Sequence, residues 1–71
     1  MNLLDRLKPE YLEKLEIVKK QFPTSAEKIQ LSLSENQSVF ALTISEASSI
    51  CMFFDIEMTL SNILNMIEEN E

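Results

Sequence analysis

The chain has no histidine and no glycine, a single cysteine and two prolines in its 71 residues. Without histidine there is no ordinary Ser-His-Asp triad or Cys-His dyad, and one cysteine cannot build a thiolate zinc site. Without glycine there is neither a Walker A loop nor a G-x-G-x-x-G turn, because both need glycine to bring backbone close to phosphate. The carboxylates show no EF-hand spacing, and Glu68, Glu69 and Glu71 read as a solvated tail. No cofactor, metal or enzymatic activity is expected. Cys51 has no partner within the chain for a disulfide, and a lone thiol suits a reducing cytosol, which points to a cytoplasmic protein. Cys51 also lies on an apolar stripe, where it reads as a small core residue and not as a nucleophile. The longest wholly apolar run, "ICMFF" at 50–54, is far shorter than the roughly 20 residues that cross a bilayer. Asp5, Arg6 and Lys8 interrupt any signal-peptide core, so no membrane association is expected.

What is present is a small acidic chain of one expected domain, 1–71, with a net charge of -6. A chain of this length buries only about 60% of the surface it exposes when unfolded, so its core is marginal and a partner would help it. Charge is unevenly placed. Residues 1–28 hold all six basic residues against five acids, while residues 29–71 hold seven acids and no base. The second part should repel phosphate, so direct nucleic-acid binding is not expected.

Punctuation predicts a helix over 9–22. Pro9 suits a first helical turn and Pro23 stops the run. Tyr11, Leu15, Val18 and Phe22 recur at spacings of four, three and four, with Glu10–Lys14 and Glu16–Lys20 as i,i+4 pairs. Leu3, Leu4 and Leu7 then form a short apolar arm, 1–8, folded on this helix or on a neighbouring chain.

Residues 28–44 alternate apolar and polar side chains. With Asn36 and Gln37 as a two-residue loop, Leu33 faces Phe40, Leu31 faces Leu42 and Ile29 faces Ile44 on one apolar side. Gln30, Ser32 and Ser34 then oppose Thr43, Ala41 and Val39 on the other. This predicts an antiparallel hairpin, although a glycine turn is missing. A helix can also use Ile29 and Leu33, at the cost of placing the serines of "SLSENQS" inside it.

After the hairpin, Thr43 and Glu46 in "TISE" have the spacing of a capping box. The apolar positions Ile50, Phe53, Ile56, Leu60, Ile63 and Ile67, flanked by Ala47, Cys51, Phe54, Met58 and Leu64, predict one long helix over 45–69 or two joined near Asp55. Ser48, Asp55, Thr59, Asn62 and Glu69 make its narrow polar stripe. The expected fold is therefore α+β in α-β-β-α order: a two-stranded hairpin packed against an N-terminal helix and a long C-terminal helix. The alternative is an all-α bundle of three or four helices. The expected core is Tyr11, Leu15, Val18, Phe22, Leu31, Leu33, Phe40, Leu42, Ile50, Phe53, Leu60 and Ile63.

Two stretches resemble known families. "LTISEASSICMFFDIEMTLSNIL" resembles an excisionase-type helix-turn-helix, with "FDI" where a Leu-Gly-Ile turn would stand, which implies DNA binding. It departs from that pattern at Asp55 and in a recognition helix without Arg or Lys. "VKKQFPTSAEKIQLSLSEN" resembles the start of a ubiquitin-binding CUE domain through the Phe22–Pro23 pair, and that resemblance implies a helix over 25–35.

The function expected from these readings is a small non-enzymatic interaction protein, a regulator or inhibitor that occupies a partner protein's surface. The alternative is an acidic nucleic-acid mimic, and a helix-turn-helix DNA-binding protein is the third reading. The expected contact residues are Leu3, Leu4 and Leu7 on the arm and Met52, Ile56, Leu60, Ile63, Met66 and Ile67 on the C-terminal helix. The broad apolar face of that helix also predicts a homodimer in which Ile56, Leu60, Ile63 and Ile67 meet their counterparts.

Overall fold

The computed structural model describes residues 1–67, so the acidic end beyond Ile67 lies outside the described residues. Among the described residues five α-helices follow in order: α1 (Leu3–Arg6), α2 (Pro9–Gln21), α3 (Pro23–Glu35), α4 (Ile44–Phe53) and α5 (Leu60–Asn65), with a 3-10 turn at Val39–Ala41 between α3 and α4. The described residues contain no strand, only an isolated antiparallel bridge between Leu7 and Ile67. The fold is all-helical, and the expected α+β hairpin over 28–44 is not formed.

The reason lies in one residue. Ile29 and Leu33 fit a strand face and a helix face equally well, because their separation of four satisfies both periods. Leu31 separates the two readings: a strand puts it inside with Ile29 and Leu33, whereas a helix puts it outside. In α3 it is 54% exposed, and Ala26, Ile29 and Leu33 form the buried stripe. The serines are accommodated. Ser34 Oγ donates to the Leu31 carbonyl at 2.9 Å, and the Asn36 side-chain amide donates to the Ser32 carbonyl at 2.7 Å, just where the helix stops. Core burial outweighs a serine preference for caps that amounts to only tenths of a kcal/mol per residue. The would-be second strand becomes the 3-10 turn, the extended residues Leu42 and Thr43, and Ile44 as the first residue of α4. Phe40, expected as its core residue, is 78% exposed.

α2 and α3 meet without a loop. Phe22 (φ -133°, ψ 67°) ends α2, its N–H donating to the Val18 carbonyl at 2.7 Å, and Pro23 opens α3. This turn carries Phe22 outward, so it is exposed where the sequence placed it in the core. α3 is the central helix, packed against α1, α2 and α4. Of the remaining expected core residues, Leu15, Leu33, Ile50 and Ile63 are buried, Tyr11, Val18, Leu42 and Phe53 are half-buried, and Leu60 is exposed. The core is completed by Leu3, Leu7, Ala26, Ile29, Ala47, Cys51, Phe54, Met66 and Ile67. Tyr11 and Phe53 both meet the Phe54 ring edge to face, with centroids 5.3 and 5.2 Å apart.

The long C-terminal helix is also corrected, since α4 and α5 are separated by residues 54–59. α4 closes in a Schellman motif: the Ile56 N–H donates to the Cys51 carbonyl at 2.9 Å and the Asp55 N–H to the Met52 carbonyl at 3.2 Å. Asp55 takes the left-handed conformation (φ 55°) that such a cap requires, which a short polar side chain tolerates better than most. Lys14 Nζ donates to the Phe54 carbonyl at 3.1 Å and so ties α2 to this helix end. Thr59 restarts the helix by accepting from the Asn62 N–H at 3.1 Å. The segment before α2 meets the segment after α5 where the Lys8 N–H donates to the Met66 carbonyl at 3.0 Å.

Candidate protein-interaction face

The face is built on α4, whose start is fixed by a reciprocal capping box. The Glu46 N–H donates to Thr43 Oγ1 at 3.1 Å and the Thr43 N–H to Glu46 Oε1 at 2.9 Å. Glu46 Oε2 also accepts from the Asn36 side-chain amide at 3.4 Å, so one carboxylate joins the end of α3 to the start of α4. The Thr43 N–H, then the Thr43 hydroxyl, and more weakly Asn36 hold the Glu46 carboxyl below the usual carboxylate range.

From that start, helical geometry sorts the side chains. Ala47, Ile50 and Cys51 point into the core, as does Phe54 just past the helix end. On the outer side, Ile44, Ser48 and Met52 are spaced four apart and sweep only about 80° around the axis, with Ser45 and Ser49 beside them. Ile44 is 81% and Met52 78% exposed. Ser48 is half-buried and its hydroxyl donates to Met52 Sδ at 3.9 Å, which orders the methionine along the helix. No charged residue occurs between Glu46 and Asp55. The outer face of α4 therefore shows two large aliphatic side chains about 12 Å apart along the axis, with only serines between them. Surface helices of globular proteins normally carry charge on their outer face, and depletion of charge is instead a property of interface cores.

Beside this face, between α3 and α4, lies a cleft of about 350 Å³ lined by Ser25, Lys28, Ile29, Ser49, Met52 and Phe53. Its floor is apolar and Lys28 is its one charged lining residue. A second cleft of about 390 Å³, between α2 and α3, has a mixed lining in which Lys19 and Glu27 flank Leu31. Phe40 stands apart on the 3-10 turn, with its N–H held by Ser38 Oγ at 3.1 Å.

The contact residues named from the sequence are scattered by the fold. Leu3, Leu7, Ile63, Met66 and Ile67 are buried in the chain's own core, and Leu4 and Ile56 pack half-buried against it. The arm is thus a closing element of the core: the Leu3 N–H donates to the Asn36 carbonyl at 2.8 Å and Arg6 Nη1 to the Gln37 carbonyl at 3.2 Å. Met52 and Leu60 are exposed. The surplus stripe of Ile56, Leu60, Ile63 and Ile67 is largely used internally, because the break at Asp55 lets α5 fold back onto the arm. Ile44, Ser45, Ser48 and Ser49 were not named as contact residues. Their signal in the sequence is the run of eight uncharged residues from Ala47 to Phe54.

No group of three or more His, Cys, Asp or Glu side chains among the described residues is placed to hold a metal ion. No helix among them is long and apolar enough to cross a membrane. Cys51 is buried, and burial pushes its thiol pKa up, away from thiolate chemistry. The helix over 25–35 that the CUE resemblance requires is present as part of α3, and Phe22–Pro23 sits at its start. The would-be recognition helix of the helix-turn-helix resemblance, α5, is six residues long and has no base. Comparison with protein-family models, curated proteins and solved structures returned no match, so neither family is shown.

Proposed function

We propose that the chain is a small non-enzymatic protein-interaction module of the cytoplasm, a regulator or inhibitor that works by covering a surface on another protein through the outer face of α4. The observation that carries this reading is the uncharged exposed face of α4, with Ile44 and Met52 at its two ends in a protein whose net charge is -6. Both side chains sit on a helix fixed by the capping box at one end and the Schellman turn at the other, so little backbone conformational entropy is lost when they dock. The cleft beside Met52 gives the partner an apolar recess to fill.

This reading is preferred to an acidic nucleic-acid mimic on the disposition of charge. Mimicry needs carboxylates projecting in a row, whereas Glu46 turns its carboxylate back onto Thr43 and Asn36. The test is capture of partners from the native host with the wild-type chain and with Met52→Lys, repeated across a salt titration. Loss of a partner with Met52→Lys, at an affinity that barely changes with salt, supports apolar docking. A partner retained by Met52→Lys and released steeply by salt refutes it.

A further inference from the structure

We propose that Met52 is a site of reversible oxidation by hydroperoxides, and that its sulfoxide switches off the α4 face. The inference rests on the reading above and names a regulation of the same site.

The chain has four methionines, Met1, Met52, Met58 and Met66. Met66 is fully buried, whereas Met1, Met52 and Met58 are exposed. A dissolved oxidant meets Met66 only when the core opens. Met52 differs from the other exposed methionines in its surroundings. Among the described residues its sulfur is the one thioether that accepts a hydrogen bond, from Ser48 Oγ one helical turn back at 3.9 Å.

That contact matters to the chemistry. A thioether sulfur has two lone pairs. The Ser48 hydroxyl engages one, and the exposure of Met52 leaves the other open to solvent. With hydrogen peroxide this second lone pair attacks one peroxide oxygen: the S–O bond forms, the O–O bond breaks, and the proton of the transferred oxygen leaves with the departing hydroxide as water. Sulfur gives up two electrons and the peroxide takes them. The sulfoxide oxygen is a far better acceptor than thioether sulfur, and a hydroxyl donor already points at its place of formation. A sulfoxide reductase with a dithiol reverses the step, as the S–O bond breaks, the oxygen leaves as water and the two thiols become a disulfide.

The consequence falls on the α4 face. One of its two large apolar ends becomes polar, and stripping water from a sulfoxide opposes apolar docking. Because Met52 points outward, the helix beneath it is left intact.

Treatment of the full chain with hydrogen peroxide tests this, with oxidation mapped by peptide mass spectrometry and helical content followed by circular dichroism. Met52 should be oxidised while Met66 stays reduced and the helical content is unchanged. Capture of a host partner should be lost, and should return after a methionine sulfoxide reductase and dithiothreitol. Met58→Leu should respond to peroxide as the wild type does, whereas capture by Met52→Leu, at whatever level it stands, should not change with peroxide. Oxidation should move the thermal midpoint a few degrees more favourably in the wild type than in Ser48→Ala, because only the wild type gains the hydroxyl-to-sulfoxide bond. Oxidation of Met66 in step with Met52 in the folded chain overturns the inference, as do equal midpoint shifts. Capture lost with Met52→Lys but kept after full oxidation of Met52 overturns the switch and leaves the α4 face as the contact surface. Capture that ignores both overturns the switch and the reading it rests on.

Discussion

Thr43 and Glu46 each bond the other's backbone N–H, at 2.9 and 3.1 Å, and this reciprocal pair sets where α4 begins and so which of its side chains face outward. Thr43→Ala should cost about 1 kcal/mol, the ordinary value of an N-cap hydroxyl, measured by urea denaturation. Because the Glu46 carboxyl is held below its ordinary pKa in the folded state, its contribution is complete above the unfolded carboxylate pKa and is lost as pH falls through the folded one. Glu46→Gln should therefore flatten the acid limb of the stability profile and leave its shape above pH 6 unchanged.

Asp55 sits at φ 55° with no Cβ-free residue to ease it. Asp55→Gly should raise stability by roughly 1 kcal/mol, since glycine takes the left-handed cap without the steric penalty that other residues carry. Asp55→Val should lower stability by at least as much. Paired thermal melts of the two variants check the sign.

Leu31 and Leu33 are two residues apart and lie on opposite sides of α3. Leu33→Ala should cost about 2 to 5 kcal/mol as a buried large-to-small change. Leu31→Ala should fall within about half a kcal/mol of wild type, as surface changes do. Equal large losses at both positions would restore the hairpin, and a far-UV spectrum with measurable strand would do the same.

Cys51 is 1% exposed, and burial raises its thiol pKa. Its labelling by an aromatic disulfide reagent at pH 8 should be slow in the native protein and accelerate with denaturant in step with unfolding. Prompt labelling without denaturant would mean that the inner face of α4 is not packed into the core.

Much of the fold is written in local signals. Pro9 and the Thr43–Glu46 spacing each mark a helix start in the structure, because each acts through its own backbone and needs no tertiary context; Pro23, read from the sequence only as a stop, ends α2 and also opens α3. Residues 28–35 were not legible, since Ile29 and Leu33 satisfy both periods and only the position of Leu31, fixed by what packs against α3, separates them. The break at Asp55 was legible as one alternative; its consequence, that α5 returns to the arm and buries Ile63, Met66 and Ile67, depends on pairing across the whole chain. The α4 face was hidden for the same reason. The hairpin reading sets Ile44 opposite Ile29 on its apolar side, and a residue placed there is not sought on an exposed helix face. Met52 was visible as a surface methionine, but the partner residues Ser48 and Ile44 acquire meaning only once α4 is known to start at Ile44.

The central claim is that the outer face of α4 is where this protein touches another protein chain. The most direct measurement is capture of partners from the native host by the wild-type chain and by Ile44→Lys and Met52→Lys, with folding checked by circular dichroism. The account predicts that a partner bound by the wild-type chain is lost with both substitutions. A partner retained by both folded variants would contradict it.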